Sequence, residues 1–315
     1  MPKQEKSFRR RLVCAPLLLA LLYAGPAAAQ DAPVKTTQAV ALGETSVRVN
    51  IYEKRGARVT FVAPHYNEQA ARRAALEAVG RHGGRLVEVE SFDEQGRPAR
   101  RVSFALGGKP YSLDPNRVFT PNGRRCAGLP PEADAAVRLF ADSLLKIIFA
   151  PGGERLRDGE RFIVAVHNNG DVDEKAPHER AGDLTAAAFV RGAKARPLAR
   201  GAFHEQAAGV YLSNAENDED NFVFLSTPRL IGPFAEGGFN VVVQKAAAGL
   251  RDARCGVDDG SLSVYSAQHD IPYVCLEADA AHGWQRQRQM LAAVYQLLPE
   301  SDAHEAAAAA GGVVK

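Results

Sequence analysis

Beyond residue 24 the chain has no second long apolar run, so the remainder holds no candidate for a membrane-spanning helix. It also lacks an excess of either charge. Its 315 residues carry 39 Lys and Arg against 37 Asp and Glu, a formal +2. Five bases and one acid fall within residues 1–29, which leaves the rest at about −2. No basic field is left there to attract nucleic acid or an anionic membrane surface. Cysteine is scarce as well. Beyond residue 29 only Cys126, Cys255 and Cys275 occur, an odd number that allows one internal disulfide and leaves one thiol over. No internal repeat is present.

What is there begins with a basic start, Lys3, Lys6 and Arg9-Arg10-Arg11, followed by a short apolar core over residues 12–24. Ala27-Ala28-Ala29 then supplies a small-residue cleavage pattern before Gln30. Residues 1–29 therefore read as an export signal whose apolar core is short for a bilayer span, with a membrane anchor as the alternative. Cys14 lies inside the apolar core and not after it, which argues against a lipid anchor. The expected organisation is a signal over 1–29, one domain over 30–300 and an alanine- and glycine-rich tail over 301–315. The expected location is the periplasm or the exterior, where disulfides persist.

Hydrophobic periodicity predicts strands over 47–52 and 57–62, paired as a hairpin across the Arg55-Gly56 turn. A helix over 69–79 follows, stopped near Gly83-Gly84, and then strands over 85–89 and 101–106. Residues 131–149 have helical apolar spacing. Residues 162–166 form a continuous apolar run, as in a strand covered on both faces. Further strands are expected over 210–213, 223–226, 241–244 and 273–276, with a closing helix over 283–298. Strands alternating with helices predict an α/β fold: a single domain with a mixed, largely parallel central sheet flanked by helices. The stretch 171–200 is polar and carries both charges, and 214–221 is an acidic loop.

Candidate chemistry sits at the ends of these strands. His65 and Glu68 follow the second strand in Val62-Ala63-Pro64-His65-Tyr66-Asn67-Glu68, and His167 follows the run 162–166. Open α/β sheets place their sites beyond the carboxyl ends of strands. Two histidines and a carboxylate with a fourth position left for water make a catalytic zinc arrangement. Each piece also has an ordinary reading: a surface pair or helix cap for His65 and Glu68, a satisfied strand-end histidine for His167. In Asp114-Pro115-Asn116-Arg117 the arginine fork can bind a carboxylate at two points, or make an ion pair inside a turn. Glu277 closes an apolar strand, where burial and a metal can tune a general base, or it is an ordinary strand-end glutamate.

The ordered set His-x-x-Glu, Asp-x-Asn-Arg, His after a strand and Glu after a strand resembles the zinc carboxypeptidase clan. That clan includes carboxypeptidase A and the succinylglutamate desuccinylase/aspartoacylase branch. The intervals of 48 residues from Glu68 to Asn116 and 51 from Asn116 to His167 look more like the second branch. Gly260-Ser261-Leu262-Ser263-Val264-Tyr265, with Glu277 17 residues after Gly260, looks more like the first. The resemblance implies a zinc site at the strand ends, with Zn2+ held by His65, Glu68 and His167. It implies that Asn116 and Arg117 hold the substrate carboxylate or polarise the scissile carbonyl, that Glu277 is the general base, and that Leu262 shapes the side-chain pocket. Arg117 and Glu277 are thus the expected catalytic pair.

Two departures from the pattern stand out. Cys255 occupies about the position of a mobile tyrosine in carboxypeptidase A, and a second substrate arginine is only a candidate at Arg100 or Arg101. Cys255 and Cys126 are both expected at the rim of the site and so to pair, leaving Cys275 as a buried thiol. Asp218, Glu219 and Asp220 read as a solvated acidic loop, His282 as a residue at the start of the last helix, and His204 and His269 carry no signal. The implied function is an exported zinc hydrolase that cleaves an amide bond beside a free carboxylate of a small peptide, from cell wall or environment. The alternatives are an N-acyl amino acid deacylase and an inactive protein that binds peptide or cell-wall fragments.

Overall fold

Six short segments, four to eight residues long and rich in apolar and β-branched side chains, set the centre of the molecule. In the computed structural model, which describes residues 32–56, 58–150, 162–169, 186, 205–213, 218–245 and 254–298, these runs become adjacent strands. The described residues belong to one compact unit, Asp31–Lys315. The expected signal and tail lie outside them, as do residues 171–185, 187–200 and 214–217 and His204. No described helix is long and apolar enough to cross a membrane.

The elements run β1 (Val34–Leu42), β2 (Thr45–Lys54), β3 (Val59–Ala63), α1 (Gln69–His82), β4 (Gly84–Val89), β5 (Val102–Leu106), β6 (Lys109–Leu113), α2 (Pro121–Cys126) and α3 (Pro131–Phe149). Then come β7 (Phe162–Asn169), β8 (Ala207–Tyr211), β9 (Phe222–Leu225), α4 (Ile231–Glu236), β10 (Asn240–Gln244), α5 (Leu262–Gln268), β11 (Tyr273–Asp279) and α6 (Trp284–Leu297). Nine strands form one sheet in the order β1-β2-β4-β3-β7-β11-β9-β10-β8. The sheet is mixed: β4, β3, β7 and β11 run parallel at its centre, β9 and β10 are parallel to one another, and the remaining pairings are antiparallel. β3, β4, β9, β10 and β11 are buried at every position, because helices cover both faces.

One apolar cluster joins the sheet to α1, α4 and α6 through Ala71, Ala74, Ala75, Val79, Phe234, Met290 and Val294. A second joins the opposite face to α3 and α5 through Val137, Phe140, Leu144, Ile148, Leu262 and Tyr265. The small side chains of α1 recur at helical spacing and let that helix lie close to the strands.

Two expectations need correction. The predicted hairpin of 47–52 with 57–62 does not form. β2 pairs instead with β1, and β4 lies between β2 and β3. The physical reason is the βαβ unit: the chain leaves β3, crosses through α1 and returns as β4 parallel to β3, so β4 takes the edge that a hairpin would have used. The true hairpin turns at Gly43, whose φ of +60 and contact with the Ala105 carbonyl leave no place for a side chain. The predicted strand at 101–106 exists as β5, but it pairs with β6 in a separate two-stranded sheet.

Candidate metal centre

β3, β7 and β11 are neighbours, and parallel pairing brings their carboxyl ends together. His65 lies two residues beyond β3. β7 and β11 run further than the sequence pattern indicates, so His167 and Glu277 sit inside strands, and they are partners in the β7–β11 register. Glu68 is the N-cap of α1, yet its carboxylate caps nothing. It is turned inward: Oε1 lies 2.7 Å from His65 Nδ1 and Oε2 lies 2.9 Å from His167 Nδ1. All three side chains are buried, and the imidazole centroids are 4.9 Å apart. The positive end of the helix dipole favours an anion there.

The turn that carries His65 is braced from the side. The Arg72 guanidinium stacks 3.8 Å from the centre of the Tyr66 ring, donates to the Tyr66 carbonyl and pairs with buried Glu88 at 2.7 Å. This ties α1 and β4 to the loop between His65 and Glu68.

Asp114 has a place that the sequence pattern did not reveal. Its Oδ1 lies 2.8 Å from His65 Nε2 and accepts the Asn116 N–H at 2.8 Å. Burial would raise the Asp114 carboxyl, but His65, Arg100 and Arg117 hold it well below the usual carboxylate range. An ionised carboxylate only accepts, so His65 must donate from Nε2, and Nδ1 is left with its lone pair facing the Glu68 carboxylate. Two acceptors 2.7 Å apart require a cation between them, either a second ring proton or a metal. Burial likewise pushes the Glu68 carboxyl up, and the two imidazoles outweigh it, so Glu68 stays ionised far below its ordinary range. The donor set fits a divalent metal: ligand atoms of His65, Glu68 and His167 all lie within 4.8 Å of one another.

Arg100, one of the two arginine candidates, spans this arrangement, with one nitrogen 2.9 Å from Glu68 Oε1 and another 3.3 Å from Asp114 Oδ2. Arg101 bonds Ser112 on the small sheet and does not line the cavity that Arg100 lines. Arg117 donates to the Asn116 carbonyl at 2.9 Å and lies 3.7 Å from Asp259. The Asn116 amide oxygen accepts the Leu262 N–H at 3.0 Å, which ties the Gly260–Leu262 turn to the Asp114–Arg117 turn. The Leu262 side chain joins the apolar core, and it is Ser261 and Ser263 that face the cavity.

Glu277 is buried, its carboxyl raised by burial and by Glu68 against the pull of His167. The Cys275 thiol donates to it at 3.3 Å and is itself raised by burial and by Glu277. His65, Glu68, Arg100, Asn116, Arg117, His167 and Glu277 all line one cavity of about 50 Å³. Gln206 and Asn169, which carried no signal in the sequence, line it too. His282 is exposed beside Asp279, and no metal-holding group among the described residues includes Asp218, Glu219 or Asp220.

Cys126 and Cys255 form a disulfide, and Cys275 is a free buried thiol. The bridge, made at the last residue of α2, is one of several ties between the 254–262 segment and residues 119–126. Thr120 Oγ1 donates to Asp258 at 2.6 Å, and the Phe119 N–H donates to the Gly260 carbonyl at 2.9 Å. Gly260, at a φ of +78, packs directly on Gly123, where a side chain on either would collide. Replacing both bridge cysteines by Ala is expected to cost about 2–5 kcal/mol of unfolding free energy, read by denaturant titration, because the bridge closes a loop of 129 residues.

Removing the Asp114 carboxylate takes away the partner of His65 and leaves the clustered His65, Glu68 and His167 side chains in place. For Asp114→Asn we expect zinc affinity to fall about 10- to 100-fold, measured by chelator competition, because His65 loses the partner that fixes its tautomer.

No family model matches the chain, and no curated protein does. Solved structures do resemble it. An aspartoacylase family protein from Mesorhizobium loti is 12% identical at a TM-score of 0.34, covering 83% of this chain and 68% of its own. The ectoine utilization protein EutE from Ruegeria pomeroyi is 12% identical at a TM-score of 0.38, covering 86% and 69%. A metallo-carboxypeptidase from Burkholderia cenocepacia is 10% identical at a TM-score of 0.36, covering 82% and 63%.

Proposed function

We propose that the protein is a metal-dependent hydrolase that cleaves an amide bond beside a free carboxylate. The observation that carries this reading is the sharing of one buried carboxylate, Glu68, by His65 Nδ1 and His167 Nδ1, while Asp114 Oδ1 lies 2.8 Å from His65 Nε2 on the other side of the ring. When bound there, a zinc ion supplies a Lewis acid for the carbonyl and makes water more acidic. Every other part belongs to the chain. Arg117 and the Asn116 amide hold the substrate carboxylate and fix the scissile bond against the strand ends. Arg100, reaching over Glu68, offers its guanidinium to the carbonyl oxygen as charge develops. Glu277, in register with His167, takes the proton of the attacking water and returns it to the leaving nitrogen.

The substrate class follows from charge. Two arginines line the cavity, which favours a substrate that presents a free carboxylate, as an N-acyl amino acid or a short peptide does. The Cys126–Cys255 bridge supports a location outside the reducing cytoplasm. The test is a panel of N-acyl amino acids, dipeptides and muropeptides offered to zinc-loaded protein. Hydrolysis of at least one, lost on metal removal and restored by zinc, is expected. Stoichiometric zinc with no hydrolysis across the panel would overturn the enzyme reading in favour of a binding protein.

A further inference from the structure

The His167 imidazole belongs to a second group of donors besides the one it shares with His65 and Glu68. Ligand atoms of His167, Cys275 and Glu277 all lie within 4.8 Å of one another, and all three side chains are buried. The register of the sheet makes this group. β7 and β11 run parallel, with His167 opposite Glu277 and Ala165 opposite Cys275. Cys275 and Glu277, two residues apart on one strand, therefore share the face that carries His167. Cys126 and Cys255 are joined, so Cys275 is the free thiol among the described residues. It donates to Glu277 at 3.3 Å and lines the metal cavity with His167 and Glu277. A buried cysteine is ordinarily a small apolar filler. This one meets a carboxylate and an imidazole at the wall of a mostly polar cavity, which is the setting of a ligand.

The two groups differ in chemistry. His65, Glu68 and His167 offer two nitrogens and an oxygen, a borderline set suited to zinc. His167, Cys275 and Glu277 offer nitrogen, sulfur and oxygen, and the sulfur turns the preference toward softer ions. Burial and Glu277 hold the thiol in its protonated form. A bound cation reverses that balance. The S–H bond breaks, the sulfur keeps the electron pair and bonds the metal, and the proton leaves to solvent. Nothing is oxidised or reduced. We propose that His167, Cys275 and Glu277 form a second metal seat, overlapping the first at His167 and suited to a thiophilic ion such as Cd2+ or Cu+. An ion held there engages the imidazole and the carboxylate that turnover needs, so it stops hydrolysis. The seat stands on the donor geometry alone, and its effect on turnover rests on the hydrolase reading.

The experiment titrates Cd2+ into the zinc-loaded full-length protein. Cadmium bound by a thiolate has an ultraviolet charge-transfer absorption that cadmium bound by nitrogen and oxygen alone lacks. We expect that absorption to grow to a limit of one Cd2+ per chain. In Cys275→Ser it should disappear, and Cd2+ affinity should fall by more than about 10-fold, since a ligand is lost and not merely a partner behind one. Its loss in this variant also assigns the signal to Cys275 and not to Cys14. Cys275→Ala serves if the serine variant does not fold. No thiolate absorption in the unaltered protein, or an absorption that survives either substitution, overturns the proposal. Hydrolysis of the best panel substrate is followed across the same titration. Turnover undiminished when the absorption is complete overturns the proposal as well. Absorption with no hydrolysis before or after cadmium leaves the seat and removes the hydrolase. Hydrolysis without the absorption removes the seat and leaves the hydrolase.

Discussion

Protein carrying Glu277→Gln is expected to retain stoichiometric zinc and to lose about 10²- to 10⁴-fold in kcat, the usual worth of a positioned general base. The substitution keeps the shape of the side chain and its place in β11, so neither fold nor ligands should change. What disappears is a group able to accept a proton. The pH profile supplies the sharper readout. Burial, together with the repulsion of Glu68, raises the Glu277 carboxyl above its ordinary range, with His167 opposing. A base works in its ionised form, so kcat/KM of the unaltered protein should rise with pH through that raised value and fall away below it. In Glu277→Gln the residual rate should lack this acidic limb. Retained kcat, or an unchanged limb, would remove Glu277 from the mechanism.

The second large effect concerns the metal itself. His65→Ala or His167→Ala should yield protein that emerges from dialysis without stoichiometric zinc, read by elemental analysis. Either change leaves two protein donors where three are needed, and the loss should exceed the roughly 10- to 100-fold expected of a partner behind the ligands. Full zinc occupancy in both variants would defeat the ligand assignment. Acidity should act in the same direction. Burial would lower the His167 imidazole, but Glu68 and Glu277 raise it. Protons therefore compete for His167 from a higher pH than at an ordinary histidine. Zinc affinity should fall as the pH drops through that raised value and be fully regained above it.

The features of the fold that the sequence made legible are those fixed by local burial. β3, β4 and β7 read correctly because a strand covered on both faces cannot hide its apolar run, and α3 because its apolar spacing is unbroken from Pro131 to Phe149. β1 escaped notice because it is an edge strand with seven of its nine residues exposed. The hairpin error arose because adjacency in the chain says nothing about a strand that arrives later and inserts. The site shows the same division. His65, Glu68, His167 and Glu277 were visible because each follows or closes a strand, and strand ends converge in this class of fold. The role of Asp114 was hidden, although the residue stands in the motif, because no spacing tells a carboxylate which imidazole it will face across 49 residues. Gln206 gave no sign at all, since a place beside the cavity becomes a property of a residue only when the sheet closes around it.

Asp114 Oδ1 lies against His65 Nε2 and accepts from the backbone of Asn116 at once, so on the proposed reading a single oxygen stands behind a metal ligand at one end and behind the carboxylate clamp at the other. That shared oxygen is a route by which the two occupants would be thermodynamically coupled. Any tightening of the clamp that follows loading of the metal is matched, factor for factor, by tighter retention of the metal when the clamp is filled. If loading the metal tightens the clamp, such a protein would hold its ion most firmly while substrate is bound.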